Sequence, residues 1–302
     1  MNDAVMNNHT LAELSGASKR FGTVVALDGL DLEVWEGELC AVLGPNGAGK
    51  TTAISLLLGL HQPDSGSARL FGQPPQRVEA RRRIGVMMQE TVLPPELRVC
   101  EHIDLATSYY PDPLTADAAM EVTGTSSLRN RAYGKLSAGQ KRQVQFAVAV
   151  CGRPSLLFLD EPTVGLDVQS REMVWATVRR LVNEGCSIVL TTHYLEEAEA
   201  LADRVVVLAK GRTLAAGTVS EIRALVVRTR ITCSTALALE EVRTWPGVGS
   251  VSRDKHRLHI TATNAEAVVR RMLDADADLE DLEVRRAGLA EAFAELTQEA
   301  AK

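Results

Sequence analysis

The residues Gly44-Pro45-Asn46-Gly47-Ala48-Gly49-Lys50-Thr51 decide the fold of this 302-residue chain. They match the pattern G-x-x-x-x-G-K-[ST] throughout, with the aliphatic run Leu39 to Leu43 before them and an aliphatic helical stretch, Thr52 to Leu58, after them. That is the strand, loop and helix order that the pattern requires. Glycines let backbone N–H groups turn inward around phosphate oxygens, and the helix start adds positive potential. The stretch therefore predicts a phosphate loop in which Lys50 reaches the β- and γ-phosphates and Thr51 holds Mg²⁺.

Further short aliphatic runs predict a mainly parallel sheet around this loop. They are Leu156 to Leu159, Ile188 to Thr191 and Val205 to Leu208, and helical patterns precede or follow most of them. Such an alternation is typical of α/β architecture. Residues 10 to 38 instead alternate apolar and polar side chains and carry turn signals such as Asp28-Gly29. We therefore expect an antiparallel β layer before the main sheet.

Two changes of pattern divide the chain further. From about Glu90 to Gly152 the pattern is helical and is interrupted by prolines, which predicts a helical insert within the first domain. Beyond about Ala224, short strand-like runs alternate with helical stretches. We therefore expect a first domain over residues 1–225, with the insert at about 90–152, and a small C-terminal α+β domain over residues 226–302.

Composition and charge exclude several classes of protein. The formal net charge of −6 gives no general attraction to nucleic acid, so no nucleic-acid partner is expected. The five cysteines are scattered without a C-x-x-C pair, which argues against a disulfide framework or a zinc site and favours a reducing cytosol. The first ten residues lack the apolar segment of a secretion signal. No stretch approaches the ~18 apolar residues that span a bilayer.

A pair of acids, Asp160-Glu161, ends the aliphatic run Leu156 to Leu159. A buried strand that ends in two acids places both at the carboxyl edge of the sheet, where ligands bind in α/β folds. We expect Asp160 to support the Mg²⁺ shell and Glu161 to take or orient the proton of an attacking water. Alone, the pattern also fits a strand that ends in solvated acids. The phosphate loop upstream favours the catalytic interpretation.

The segment Leu136-Ser137-Ala138-Gly139-Gln140 stands between these motifs and resembles the signature motif of the ABC ATPases. Other motifs resemble those of the same family and occur in its order. They are Phe21 for the aromatic that stacks on adenine, Gln89 for the glutamine loop, Gly165-Leu166-Asp167 for the loop after the acids, and Thr191-Thr192-His193 for the switch histidine. The resemblance covers about residues 10 to 220 and implies an ATP-hydrolysing cassette with a P-loop NTPase core.

The resemblance also implies roles for individual residues. The expected ATP contacts are Phe21, Gly44, Pro45, Asn46, Gly47, Ala48, Gly49, Lys50, Thr51, Thr52, Ser137, Gly139 and Gln140. The expected catalytic residues are Glu161, His193, Gln89 and Lys50, and the expected Mg²⁺ contacts are Thr51, Gln89 and Asp160. His193 is expected near the γ-phosphate, against the alternative of an ordinary polar residue. Phe21 is expected to stack on adenine, against the alternative of a core or surface aromatic.

The signature segment also has a physical interpretation of its own. Ser137 followed by Gln140 fits a capping box at the start of an apolar-patterned helix through Val150. A capped helix start exposes N–H groups and a positive dipole end, which suits a phosphate. The family implies that this is the γ-phosphate of ATP on a second ABC ATPase subunit, so a homodimer is expected. Ala138 replaces the usual glycine, which costs about 1 kcal/mol if that position needs φ > 0 and nothing if φ is helical.

The tail narrows the family. The segment Leu282 to Thr297 is similar to the tails of bacterial drug- and antibiotic-exporter ATPases of the daunorubicin-resistance type. That similarity implies a separate integral-membrane permease, which holds a cytoplasmic subunit on the inner face of the cell membrane. The permease is expected to dock after Gln89, within Glu90 to Tyr110, unless these residues are simply solvated. The candidate contacts are Pro94, Pro95, Glu101, Tyr109 and Tyr110.

Two other functions stay open at this point. An importer ATPase would use the same cassette chemistry, and only the tail argues against it. A non-transport ABC ATPase acting on ribosomes or DNA is disfavoured by the one phosphate loop, the absence of a heptad run and the negative net charge. The expected function is thus an exporter ATPase for a drug, antibiotic or other small amphiphile.

Overall fold

The computed structural model describes residues 9–225, 229–255, 257–286 and 289–299. The first eight residues, for which the sequence predicts no secretion signal, lie outside this part. Contacts divide the chain into two compact units, and the division falls between Thr218 and Val219. The predicted boundary after residue 225 is therefore too late. The helix Val219–Ala224 belongs to the second unit because it packs against the helix Leu289–Glu299.

The first unit alternates strands and helices as the sequence predicts. In chain order its elements are β1 (Thr10–Phe21), β2 (Val24–Trp35), β3 (Leu39–Leu43), α1 (Lys50–Leu57), β4 (Ser65–Leu70), α2 (Val78–Arg81), β5 (Ile84–Met87), α3 (Val99–Thr107), α4 (Ala116–Val122), α5 (Ala138–Val150), β6 (Leu156–Asp160), α6 (Val168–Asn183), β7 (Ser187–Thr192), α7 (Leu195–Leu201), β8 (Arg204–Ala209) and β9 (Arg212–Gly217). Helix α1 begins at Lys50 and not at Thr52 as expected, because Gly49 supplies its left-handed N-cap.

Six of the described strands form the main sheet, in the order β5-β6-β7-β3-β8-β9. The first five run parallel to their neighbours, and β9 pairs antiparallel with β8. Strands β3, β6 and β7 are buried along their whole length, as expected for parallel strands covered on both faces. The α/β class predicted from the aliphatic runs is confirmed.

A separate antiparallel layer, in the order β2-β1-β4, lies over helix α1. Helix α1 contacts β1 and β2 of this layer and also β6 of the main sheet. Side chains of all these elements share one core, which includes Leu14, Leu30, Leu57 and Phe158. The layer expected over residues 10 to 38 is therefore present, and it fixes α1 and the loop before it against the main sheet.

The helical insert between β5 and β6 has its own core. Helices α3, α4 and α5 contact one another, and α5 also contacts β5. The shared core includes Val99, Ile103, Met120, Val144 and Ala147. Burying these side chains holds α5, and so the start of that helix, in a fixed orientation to the main sheet.

The second unit is a small α+β fold. Its elements are α8 (Val219–Ala224), β10 (Thr229–Ser234), α9 (Leu239–Arg243), β11 (Val248–Asp254), β12 (Arg257–Ala262), α10 (Ala265–Ala275), β13 (Glu280–Arg286) and α11 (Leu289–Glu299). From β10 to β13 the order of elements is βαββαβ, with an antiparallel sheet in the order β11-β12-β10-β13. This is the ferredoxin-like arrangement. Its core includes Ile231, Leu258, Ile260 and Met272. Strand β11 has no counterpart among the predicted runs.

Two further properties concern the whole described chain. Each of the five cysteines is buried as a free thiol. Among the described residues, no helix combines the length and the apolar character needed to cross a bilayer.

One buried acid makes the stability of the first unit depend on pH. Glu197 of α7 is fully buried, and Nε1 of Trp175 on α6 donates a hydrogen bond of 3.1 Å to its Oε1. Burial raises the pKa of Glu197 above its ordinary value, because a buried carboxylate loses its hydration. The free energy of unfolding therefore includes the full contribution of neutral Glu197 at pH values below the pKa that this residue has in the unfolded chain. That contribution is lost as pH rises through the higher pKa that Glu197 has in the folded chain.

We expect the variant Glu197→Gln to remove this loss. Its free energy of unfolding should rise relative to the wild type as pH rises from about 5 to about 8. The wild type loses about 1.4 kcal/mol for each pH unit of this interval that lies below the folded-state pKa of Glu197. Urea titrations followed by tryptophan fluorescence at both pH values measure the difference. The exposed neighbour Glu196 supplies the control Glu196→Gln, which should show no such divergence. A constant difference between Glu197→Gln and the wild type at both pH values contradicts the prediction.

Candidate functional site

Four neighbouring strands of the main sheet end at the predicted site. Strands β5, β6, β7 and β3 lie side by side and run parallel. The residues that follow them are Gln89 after β5, Asp160 and Glu161 at the end of β6, His193 after β7, and the phosphate loop after β3. Because the carboxyl ends of parallel strands share one edge, side chains far apart in the sequence meet there.

The loop from Gly44 to Thr51 forms a narrow backbone cradle. Gly47 and Gly49 have φ values of +80° and +104°, a left-handed region that side chains rarely adopt. A Cβ atom on Gly49 would lie 2.6 Å from the carbonyl oxygen of Ala26, and one on Gly44 would lie 2.6 Å from that of Leu208. Backbone therefore packs closely behind the loop, and only glycine fits at these two positions. The cradle fits the phosphate groups that the motif predicts.

Lys50, the first residue of α1, is buried at the base of the loop. Its Nζ donates to the carbonyl oxygen of Gly44 at 2.7 Å and to that of Pro45 at 3.4 Å. The same Nζ lies 3.6 Å from Oε1 of Glu161. A buried ammonium needs such acceptors and a counter-charge. Lys50 thus joins the phosphate loop to the acid after β6.

Asp160 is fully buried at the end of β6 and accepts two hydroxyl hydrogen bonds. Thr51 Oγ1 donates to its Oδ2 at 3.0 Å, and Thr191 Oγ1 donates to its Oδ1. The buried carboxylate therefore lies next to Thr51, which lines the cleft. Magnesium sites in phosphate-binding proteins use one or two carboxylates together with substrate phosphates. This pair of oxygen donors fits Mg²⁺, and the described residues hold no cluster of three His, Cys, Asp or Glu side chains for a different metal.

Glu161 is held by its backbone and by its carboxylate. Its φ of +51° is left-handed, and its amide donates to the carbonyl oxygen of Thr191 at 3.0 Å. Its Oε2 lies 2.8 Å from Nδ1 of His193, whose ring is exposed on the cleft side. The acid, the histidine and Lys50 therefore form one contiguous polar group. A buried carboxylate hydrogen-bonded to an imidazole is suited to moving or orienting the proton of a water.

Lys50, Glu161 and His193 line one open cleft of about 470 Å³. Its lining contains ten of the predicted residues, namely Asn46, Gly47, Ala48, Gly49, Lys50, Thr51, Thr52, Gln89, Glu161 and His193. It also contains Val24, Val25, Ala26 and Val164, for which the sequence interpretation assigned no role. Val24 and Val25 are the first two residues of β2, and both side chains are exposed. An apolar pair beside a phosphate loop suits the base of a nucleotide.

Comparison with known proteins identifies the family. A model of the ABC transporter family matches residues 27–164. The daunorubicin resistance ATP-binding protein DrrA3 of Streptomyces coeruleorubidus is 36% identical over 95% of this chain and 96% of that protein. The chain belongs to the ABC transporter family. The Nod factor export ATP-binding protein I of Burkholderia orbicola is 41% identical to this ABC protein over 68% of the chain and 70% of that protein.

Solved structures agree with this family. The structure of an ATP-binding subunit of an ABC transporter superposes on this ABC protein with a TM-score of 0.66 and 29% identity, over 72% of the chain and 93% of the other. A dimeric ATP-binding cassette with ADP and phosphate has a TM-score of 0.63 at 23% identity, over 68% and 98%, and shows the shared fold. This ABC protein is the ATP-binding, ATP-hydrolysing subunit of a transporter.

The signature residues of this ABC ATPase are outside the described lining of the cleft. Ser137, Gly139 and Gln140 are at the start of α5 and are absent from the described cleft lining. The predicted capping box is confirmed, since Gln140 N donates to Ser137 Oγ and Ser137 N donates to Gln140 Oε1, each at 3.2 Å. Ala138 is the first helical residue and is not among the positive-φ residues, so alanine adds no left-handed strain to the signature.

Phe21 lies beside the cleft and not in its described lining. It pairs with Val24 across the β1–β2 turn, and its half-exposed ring packs edge-on against His61 at 5.3 Å between ring centroids. Adenine stacking on Phe21 stays a prediction. Gly44, Pro45 and Asp160 also lie outside the described lining, because their atoms support the loop and Thr51 from behind.

Proposed function

We propose that this chain is the ATPase subunit of an ABC exporter, which drives efflux of a drug, antibiotic or other small amphiphile through a separate permease. The observation that supports this most is the extent of the similarity to the daunorubicin resistance protein. That similarity runs through 95% of the chain and so includes most of the second unit. The Nod factor export protein is a second relative that is named for export.

Within the cleft we propose one role for each group. Lys50 and the loop amides bind the β- and γ-phosphates, and Asp160, Thr51 and Gln89 hold Mg²⁺. When bound, Mg²⁺ would neutralise phosphate charge and orient the phosphates. Glu161 takes or orients the proton of the attacking water. His193, fixed by its 2.8 Å contact with Glu161, orients that carboxylate and faces the γ-phosphate.

We propose further that two copies of the chain enclose the nucleotide. Ser137, Gly139 and Gln140 are outside the described lining of their own cleft, and the capped start of α5 presents Ser137 at an exposed surface. A helix start with free N–H groups suits a phosphate. The γ-phosphate of ATP on a second copy is the ligand that would occupy it.

The permease contact is proposed on the helical insert. Val92, Leu105 and Tyr109 are large apolar residues with exposed side chains there, and Val92 is 90% exposed. Among the residues expected from the sequence, Tyr110 turns inward, where its hydroxyl donates to the carbonyl oxygen of Ile84. Glu101 caps α3 through the amide of Arg98 at 2.7 Å. The exposed apolar side chains are therefore the better contact candidates.

Transport in inside-out membrane vesicles tests the exporter proposal. The chain is co-expressed with a candidate permease from the same gene cluster, and daunorubicin fluorescence is followed after ATP addition. An exporter should accumulate daunorubicin in these vesicles, and Glu161→Gln should abolish the accumulation. ATP-dependent uptake only in right-side-out vesicles loaded with ATP would favour an importer. Co-purification with ribosomes or DNA in place of a membrane protein would favour a non-transport ATPase.

A further inference from the structure

One buried arginine, Arg142, contacts both segments that carry predicted catalytic or Mg²⁺-binding residues at the ends of β5 and β6. Arg142 lies in the second turn of α5, five residues after Ser137, and is 9% exposed. Its Nη1 donates to the carbonyl oxygens of Met88 at 3.0 Å and Gln89 at 3.2 Å. Its Nη2 donates to the carbonyl oxygens of Asp160, at 3.0 Å, and Glu161. A single guanidinium thus connects the signature helix, the glutamine loop and the acid pair.

These bonds hold the backbone of Glu161 in a strained conformation. A non-glycine residue is strained in the left-handed region of φ, and it keeps that conformation only where contacts with its surroundings hold it there. The Glu161 amide is held by Thr191 and its carbonyl by Arg142. Because φ and ψ set the direction of the side chain, these two contacts direct the Glu161 carboxylate toward His193 and Lys50.

We propose that Arg142 is a positioning residue for ATP hydrolysis, which fixes the carboxylate of Glu161 and the loop of Gln89 relative to helix α5. It contacts the backbone of both residues and not their side chains, so it acts through them. The inference rests on the proposed role of Glu161. It adds a physical link by which the position of α5 determines whether the acid pair is in place.

The chemistry of the guanidinium explains why arginine stands here. The two terminal nitrogens lie in one rigid plane, and each donates to a different pair of carbonyl oxygens. Nη1 also donates to Oε1 of Gln145 at 3.2 Å. Lysine has one nitrogen at the end of a flexible chain and cannot donate in two fixed directions. A lysine at this position would retain the positive charge and lose the hydrogen bonds to one of the two segments.

Steady-state hydrolysis by the full-length variants Arg142→Gln and Arg142→Lys tests the proposal. Turnover is expressed per molecule that binds a fluorescent ATP analogue, so that a misfolded fraction does not enter kcat. A misplaced catalytic group of this kind costs about 100-fold, which is the expected fall in kcat for Arg142→Gln. Its nucleotide Kd should stay within about threefold of the wild type. Arg142→Lys should lose less, about 10-fold.

Arg204→Gln is the matched control. Arg204 is also a largely buried arginine, and it pairs with Glu38 at 2.7 Å at the start of β8, the opposite end of the sheet from the cleft. It should lower the melting temperature without changing kcat per binding-competent molecule. A kcat for Arg142→Gln within about threefold of the wild type would overturn the proposal, as would an equal fall in kcat for Arg142→Gln and Arg204→Gln. If Arg142→Gln does not fold, Arg142→Lys decides by the same criterion.

A double-mutant cycle separates this inference from the role of Glu161. If Arg142 acts through Glu161, then Arg142→Gln should cost only about threefold in single turnovers of the Glu161→Gln background. An undiminished loss of about 100-fold in that background would contradict positioning through Glu161. Normal turnover by Glu161→Gln alone would instead reject the proposed role of Glu161, whatever Arg142→Gln does.

Discussion

Glu161→Gln is expected to bind ATP and to lose turnover by about 10²- to 10⁴-fold, the range over which a general base accelerates a reaction. Glutamine has the shape of glutamate but cannot accept a proton at neutral pH. The substitution keeps the left-handed backbone and its contact with Thr191. It removes the charge that lies 3.6 Å from Lys50 and the carboxylate oxygen 2.8 Å from His193.

The binding of ATP to this variant should not weaken. Glu161 is a buried anion in the cleft, and it repels the phosphates that Lys50 and the loop attract. Removing that negative charge leaves the cradle of backbone amides intact. A fluorescent-nucleotide titration therefore should give a Kd equal to or lower than that of the wild type.

Two measurements complete this test. The exposed residue Glu36, in the turn between β2 and β3, supplies Glu36→Gln as an isosteric control at the opposite end of β3, which should retain wild-type kcat. Phosphate release is measured at saturating ATP for both variants and the wild type. A kcat for Glu161→Gln within about threefold of the wild type would show that another group handles the water proton.

The parts of the site that could be predicted are those that short sequences determine locally. The glycine positions of the phosphate loop, the capping box of Ser137 and Gln140, and the buried strands β3, β6 and β7 all follow from neighbours in the chain. Their meeting at one edge follows from the parallel sheet alone. That is why Lys50, Glu161 and His193 could be placed together before their distances were known.

The parts that could not be predicted depend on contacts between distant segments. Arg142 follows Lys141, and two adjacent charged residues in a sequence resemble a solvated helix surface. The one signal for Arg142 is its position four residues before Phe146 in α5. The left-handed φ of Glu161 has no local signal, because it arises from contacts with Thr191 and Arg142. Strand β11 was missed because most of its residues are exposed, so no aliphatic run marks it.

Lys50→Ala is expected to have the opposite effect to Glu161→Gln, a loss of nucleotide binding itself. The Lys50 ammonium is a buried positive charge directed into the loop. A hydrogen bond to a charged group contributes about 1.5–3 kcal/mol, so its removal should raise the Kd for ATP roughly 10- to 150-fold. The same fluorescent-nucleotide titration measures this. Lys135→Ala, at an exposed position of the insert, is the control and should bind like the wild type.

The double variant Lys50→Ala/Glu161→Gln tests whether the two residues act as one charged pair. Part of the cost of Lys50→Ala is a lost phosphate contact, and part is the carboxylate that it leaves without its counter-charge at 3.6 Å. Neutralising Glu161 removes the second part only. The double variant should therefore bind ATP more tightly than Lys50→Ala and less tightly than Glu161→Gln. Equal Kd values for Lys50→Ala and the double variant would mean that Lys50 acts on phosphate alone and that its contact with Glu161 does not influence nucleotide binding.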